Sequence, residues 1–224
     1  MRFLTTLTGL VLLIATSFSS LKAQPIDVNF NTTLRSRYVA STGFDFEDVP
    51  VMQNSVILSK KGFYGLFWFN TNLDKKKLTE IDYFFGYSKS IGDYVLDASY
   101  GLFDLRKRGR NDLDYNFHEI WFSITRPGDL TLKFLNVQSV NGDGLENGNG
   151  GYFDFSADWQ NIVAGNIQYN NGYYLDNPGF SFANLGIGYP IKFKNVKLKP
   201  EIRYQKRFKK EFVEGIEARL SVNF

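Results

Sequence analysis

His118 is the single histidine of the chain, and Glu119 follows it directly. An imidazole beside a carboxylate is the start of a general base. Catalysis would also need a nucleophile for that base to activate, and none is visible in the pattern. The chain therefore reads as non-enzymatic. With one histidine and no cysteine, it lacks the imidazole or thiolate set that a transition metal requires. The stretch GDGLENGNGG (142–151) offers Asp143, Glu146, Asn147 and Asn149 as oxygen ligands for calcium. Their spacing is not that of an EF-hand loop, and no Gly-Lys-Ser/Thr follows to make a phosphate loop. The stretch reads as a solvated loop, and no metal or cofactor is expected.

A second chemistry is carried by charges at alternate positions. In VKLKPEIRYQ (196–205), Lys197, Lys199, Glu201 and Arg203 share one side, while Val196, Leu198, Ile202 and Tyr204 share the other. Side chains of a strand alternate between its faces, so this is a strand with one apolar and one charged face. The same pattern assigns Arg35, Glu80, Asp82, Asp97 and Glu119 to the charged side of their segments. Asp154, Asp158, Glu217 and Arg219 fall likewise. Charges of both signs on inward faces could line a wet pore and set its selectivity, or pair with one another and fill it.

The elements that would position these groups are short strands joined by links of two kinds. Alternation recurs at 27–35, 80–88, 153–160, 182–189 and 216–224, while GFYGLFWFN (62–70) is apolar on both faces and HEIWFSI (118–124) puts Trp121 beside Glu119. About twelve strands of roughly ten residues fit the length, with ten or fourteen as alternatives. Long links such as STGFDFEDV alternate with tight ones such as SIGD and RPGD. A soluble β-sandwich also uses short alternating strands, but has no cause to sort its links by length. The expected fold is all-β: a transmembrane antiparallel barrel with both termini periplasmic. Two basic clusters fall on its long-link side: Arg106, Lys107, Arg108 and Arg110, and Lys206, Arg207, Lys209 and Lys210. Contact with anionic lipopolysaccharide and plain solvation are both consistent with them.

Composition agrees. Aromatic residues make up 17% of the chain, with 22 Phe and 13 Tyr, although the mean hydropathy is only −0.25. A barrel with an apolar outside and polar lumen and loops has that average. Residues 1–23 carry Arg2, a short apolar run from Leu4 to Ile14 and Ala23 before Gln24, the layout of a cleaved export signal. The barrel then occupies 24–224, and the cut position stays open because Leu21 stands at −3. Without the leader, 24 Lys and Arg face 23 Asp and Glu, a balance that argues against nucleic acid as a partner. Phe224 ends an apolar alternation that includes Ile216, Leu220 and Val222. A final aromatic of this kind belongs at a membrane rim.

LSVNF (220–224) resembles the closing strand of bacterial outer-membrane proteins, which implies that Phe224 is the signal read by the barrel assembly machinery. The first half resembles the Gcw_chp family of uncharacterised outer-membrane barrels. The stretches that carry the resemblance are TTLRSRYVAS (32–41), VPVMQNSVIL (49–58), KGFYGLFWFNTNLD (61–74), TEIDYFFGYSKSIGDYVLDASYGLF (79–103) and HEIWFSI (118–124). YVASTG stands where the family has an Arg-Gly after its opening tyrosine. The resemblance implies a location and a fold, and no activity. Barrel phospholipases of the outer membrane place a serine two residues after their histidine, where this chain has Ile120. The reading is a monomeric outer-membrane barrel of a Gram-negative bacterium, in contact with lipid and lipopolysaccharide. It acts as a porin-like channel for small polar solutes. The alternative is a non-conducting structural or adhesive barrel that works through its outer loops.

Overall fold

The computed structural model describes residues 25–39, 45–105, 115–142, 150–172, 178–209 and 214–224. The expected leader, the cluster from Arg106 to Arg110, Lys210 and the oxygen-rich residues 143–149 lie outside the described residues. The strands are β1 (Asp27–Arg35), β2 (Tyr38–Val39), β3 (Asp45–Glu47), β4 (Val51–Lys60), β5 (Phe63–Asn72), β6 (Lys77–Ile91), β7 (Tyr94–Leu105) and β8 (Tyr115–Arg126). They continue as β9 (Leu130–Gly142), β10 (Gly151–Trp159), β11 (Val163–Asn171), β12 (Gly179–Gly188), β13 (Ile191–Phe193), β14 (Val196–Arg207) and β15 (Gly215–Asn223).

Twelve of these form one closed antiparallel ring: β1, β4 to β12, β14 and β15. Sequence neighbours pair in order, and two pairings close the ring. β1 joins β15 from Asn31↔Asn223 to Arg35↔Arg219, and β12 joins β14 from Phe182↔Arg207 to Gly188↔Glu201. β13 is a three-residue flap hydrogen-bonded to the start of β14. β2 and β3 form a separate hairpin that belongs to no wall of the ring.

One rim of the barrel carries the tight turns. The link from β4 to β5 is Lys61–Gly62, both with positive φ (52° and 88°), the two-residue turn whose twist matches its strands. Glycine at 62 is required there, since a Cβ would meet the Ser88 carbonyl oxygen at 2.6 Å. The link from β10 to β11 uses Gln160 and Asn161 with φ of 51° and 58°. β1 begins and β15 ends at this rim, where the Phe224 amide donates to the Phe30 carbonyl at 3.1 Å.

Hydrophobicity is inverted relative to a soluble fold. The apolar face of each strand points outward: Phe85 is 61% exposed, Ile187 61% and Ile202 62%. Aromatic side chains collect on the outside of the tight-turn rim, with Phe63, Trp159, Tyr189, Phe193 and Phe224 all exposed. The side chains buried deepest are in good part polar, among them Gln168, Asn70, Asn170 and Ser181. An exposed apolar belt with aromatic borders is the outside of a barrel that sits in lipid.

The long link from β1 to β4 departs from expectation. The spacing predicts an outer loop over 41–49. Instead its described part, β3, pairs with β2 inside the barrel: Phe46 lines the interior, and Tyr38 and Val39 are 7% and 6% exposed. The cause lies on β5, which offers inward aromatic and amide groups that this segment packs on, Trp68, Asn70 and Asn72. Phe85→Arg, near the middle of β6 on the outer face, should cost about 2–4 kcal/mol of folding free energy in lipid. Urea titration of folding into phosphatidylcholine vesicles checks this; an unchanged midpoint would mean that the apolar belt does not meet lipid.

Candidate functional site

The inward faces enclose two cavities, of about 920 Å³ and 500 Å³. Both are lined by Arg35, Thr125, Lys133 and Leu135, so they adjoin. The larger runs from the tight-turn rim, at Lys61 and Gly62, to the inner hairpin at Tyr38 and Phe46. The smaller lies against β10 to β12 and β14.

Charge is sorted between the walls. Glu80 and Asp82 on β6, Asp97 on β7 and Glu119 on β8 line the larger cavity. Glu80, Asp82 and Glu119 are buried at 4%, 5% and 2% exposure. β14 stands six places from β7 in the ring of twelve, on the opposite wall. It carries Lys199 and Arg203, and β15 adds Arg219 and β1 adds Arg35. Two glutamates are interleaved with these four bases. Glu201 takes Lys199 at 3.0 Å and also Arg203. Glu217 takes Arg219 at 2.7 Å and also Arg35. Strand spacing explains both sets, because residues two apart share a face and stand next to one another. The register adds crossed pairs, Glu201↔Arg219 and Arg203↔Glu217.

Arg35 ties this network to the hairpin. Besides Glu217, it donates to Gln53 Oε1 at 3.1 Å and to the Val39 carbonyl at 2.8 Å, and lies over the Tyr38 ring at 5.6 Å. Tyr38 in turn packs on Phe46 and Trp68, with centroids 5.2 and 5.9 Å away, and hydrogen-bonds Glu80. Glu47 accepts from Asn70 at 3.3 Å and also from Asn72. The hairpin thus bridges the basic network to the β5–β6 wall across the barrel interior.

The other inward positions named from sequence are distributed as follows. Asp97 accepts from the Tyr64 hydroxyl at 3.0 Å. Asp154 accepts from Asn166, and Asp158 stands 3.9 Å from Lys199. Lys197 shares the face of Lys199 but is exposed at the tight-turn rim and lines neither cavity. Lys206 and Arg207 were expected on a loop. They are the last residues of β14, because pairing with β12 continues to Phe182↔Arg207. Both approach Glu214, at 2.7 and 3.6 Å. Lys209 follows the strand end, beside Gly179. His118 is on the outer face, where its Nδ1 shares a hydrogen bond with the Tyr100 hydroxyl, away from both cavities.

Sequence reasoning missed Lys133 and the inward aromatics Tyr38, Trp68, Phe84 and Phe103. Phe84 meets Phe103 and Trp121 edge-on at 5.3 and 5.2 Å. The signal that could have found them is the doubly apolar GFYGLFWFN segment, which demands an apolar partner on its inner side.

No family model and no curated protein matches the chain in sequence. Solved structures match in shape. The KdgM porin, solved with disordered oligogalacturonate, is 10% identical over 88% of this chain and 97% of that one, with a TM-score of 0.57. A chain from a study of in-meso crystallization of membrane proteins is 10% identical over 88% and 83%, with a TM-score of 0.54. Outer membrane phospholipase A from Escherichia coli is 14% identical over 88% of each chain, with a TM-score of 0.48. At such identities the likeness is one of fold: the chain has the closed-barrel fold of outer-membrane proteins.

Glu217→Gln removes the carboxylate shared by Arg35 and Arg219 and should lower stability by about 3–5 kcal/mol, as removal of one partner from a buried ionic cluster does. Asp48→Asn, at an exposed pair 3.3 Å from Arg37 whose aspartate is 81% accessible, should change little. Urea unfolding followed by heat-modifiable gel mobility compares the two. Equal effects would mean that the interior network is solvated like the surface.

Proposed function

We propose that the chain is an outer-membrane channel that passes small polar solutes through a charge-lined lumen. The observation that carries this reading is the separation of charge across adjoining internal cavities: acids on β6 to β8, an excess of bases on β14, β15 and β1. Such a field orients a dipolar or zwitterionic solute and screens entrants by charge. The fold shared with porins supports the reading at the level of architecture.

The same reading makes residues 1–23 a cleaved export signal and sets both termini in the periplasm. It makes Phe224 the element recognised by the assembly machinery. Lys206, Arg207 and Lys209 then lie on the side of the anionic lipopolysaccharide, and the same reading sets the cluster Arg106, Lys107, Arg108 and Arg110 there. A monomer and membership of the Gcw_chp family belong to this proposal too. No cofactor and no catalytic group enters it.

One observation favours the alternative of a closed structural barrel. The inner hairpin and the Arg35–Glu217 network occupy part of the lumen. Conductance separates the two. The refolded mature protein in planar bilayers should give discrete steps with an ion preference under a salt gradient. Tyr38→Ala, which removes the hairpin's stacking on Trp68, should enlarge the steps. A barrel shown to be folded by its gel mobility that passes no current, with or without the substitution, sinks the channel and leaves the loop-acting barrel.

A further inference from the structure

We infer that the larger cavity is a binding site for an organic cation with an apolar or aromatic body, such as an arylalkyl ammonium. The inference rests on the lumen being reachable by solute, as the channel reading requires. Three features of the cavity point to this ligand class. Its wall is aromatic where it meets the inner hairpin: Tyr38, Trp68, Phe84, Phe103 and Trp121 all line it. Aromatic faces attract cations through the ring quadrupole, and tryptophan does so best. Its charges in that same region are the carboxylates of Glu80, Asp82 and Glu119 and one base, Arg35, which Glu217 engages and which covers a face of Tyr38, leaving Trp68, Phe84, Phe103 and Trp121 as the open rings. Asp82 and Glu119 take part in no salt bridge among the described residues.

Asp82 is the decisive group. It is 5% exposed, and its Oδ1 has no hydrogen-bond partner among the described residues. A buried carboxylate oxygen without a partner is costly, and a cation delivered into the cavity would satisfy it. Glu119 is held by the Trp121 indole N–H, which fixes one acid and one aromatic face together. The cavity's own bases do not fill this role. Arg35 is engaged by Glu217, Lys133 faces Asp97 and Asp154, and Lys60 and Lys61 stand at the tight-turn mouth. An inorganic cation would use the carboxylates but gain little from the rings. A neutral aromatic would use the rings and leave Asp82 unsatisfied. The two features together select a molecule that has both.

Two of the three tryptophans report on this cavity, because Trp68 and Trp121 line it and Trp159 lies on the outer face at 50% exposure. Trp159→Phe protein, refolded in detergent and checked by gel mobility, is titrated with benzyltrimethylammonium chloride while tryptophan emission is read. Benzyl alcohol and benzenesulfonate are the neutral and anionic controls. The cation should change emission saturably and the controls should not. Asp82→Asn should weaken the response about tenfold, the size of one desolvated ionic or cation–π contact. If that variant fails to fold, Glu80→Gln replaces it. An equal response to benzyl alcohol, no saturable response, or an unchanged affinity in the folded variant overturns the site. Conductance on the same preparation keeps the two readings apart. Current without saturable emission change sinks the cation site alone. Saturable emission change without current keeps the site and sinks the channel.

Discussion

The closure of the ring is the constraint on which everything else depends. Strands in lipid cannot leave an edge, since each unpaired amide or carbonyl in hydrocarbon costs several kcal/mol. β1 therefore has to meet β15, and β12 has to meet β14 over the short flap β13. Once closed, the barrel has an outside that lipid can cover and an inside that lipid cannot reach. The alternating pattern then divides the sequence: Phe85, Ile187 and Ile202 must be outside, and Glu80, Arg203 and Glu217 must be inside. A shift of one residue in β6, β14 or β15 would put charges into hydrocarbon, so closure also fixes their register.

Putting many charges into one enclosed space raises a second problem, which the chain solves locally on one wall. Lys199, Glu201 and Arg203 are successive inward residues of a single strand, and Glu217 and Arg219 are successive on the next. Each neutralises its neighbour without relying on a distant element. Arg35 extends this network to the hairpin, with Glu217, Gln53, the Val39 carbonyl and the Tyr38 ring all around one guanidinium. A planar fork with several donors suits that task, and lysine would not replace it. The hairpin is thereby anchored on β2 by Arg35 on the Val39 carbonyl and Tyr38 on Trp68, and on β3 by Glu47 with Asn70 and Asn72.

The barrel was legible because its governing rule is one-dimensional. Period-2 alternation in 196–205 and 216–224 gives the inward charges directly, and link lengths give the order of rims. The inner hairpin was not legible, because link 36–50 has the mixed polar and aromatic composition of an outer loop. What decides its path is the inner face of β5, which lies across a turn and a strand from it. The two segments that broke alternation, GFYGLFWFN and HEIWFSI, both contribute to the inner aromatic wall: Tyr64, Trp68 and Trp121 line the larger cavity beside Phe84 and Phe103. An irregularity in the pattern was the trace of a lumen feature. Lys133 escaped notice for a related reason, since Leu135 and Val137 share its face and blur the alternation of β9.

The two walls differ in how their charge can be compensated. On β14 and β15 acids and bases alternate along the inward face, so most of the field cancels within a few ångströms. On β6 and β8 the inward faces carry acids and aromatics but no base: Glu80 adjoins Asp82, Phe84 follows Asp82, and Trp121 follows Glu119. Such neighbours can donate one indole N–H but no charge. Compensation of that wall has to come across the lumen, from the hairpin or from whatever enters. Tyr38 reaches Glu80 from the hairpin, and among the described residues no group hydrogen-bonds Asp82 Oδ1. The uncompensated wall is therefore the side of the lumen on which electrostatic attraction for a mobile cation is strongest, because burial there lowers the screening that water gives to the other carboxylates.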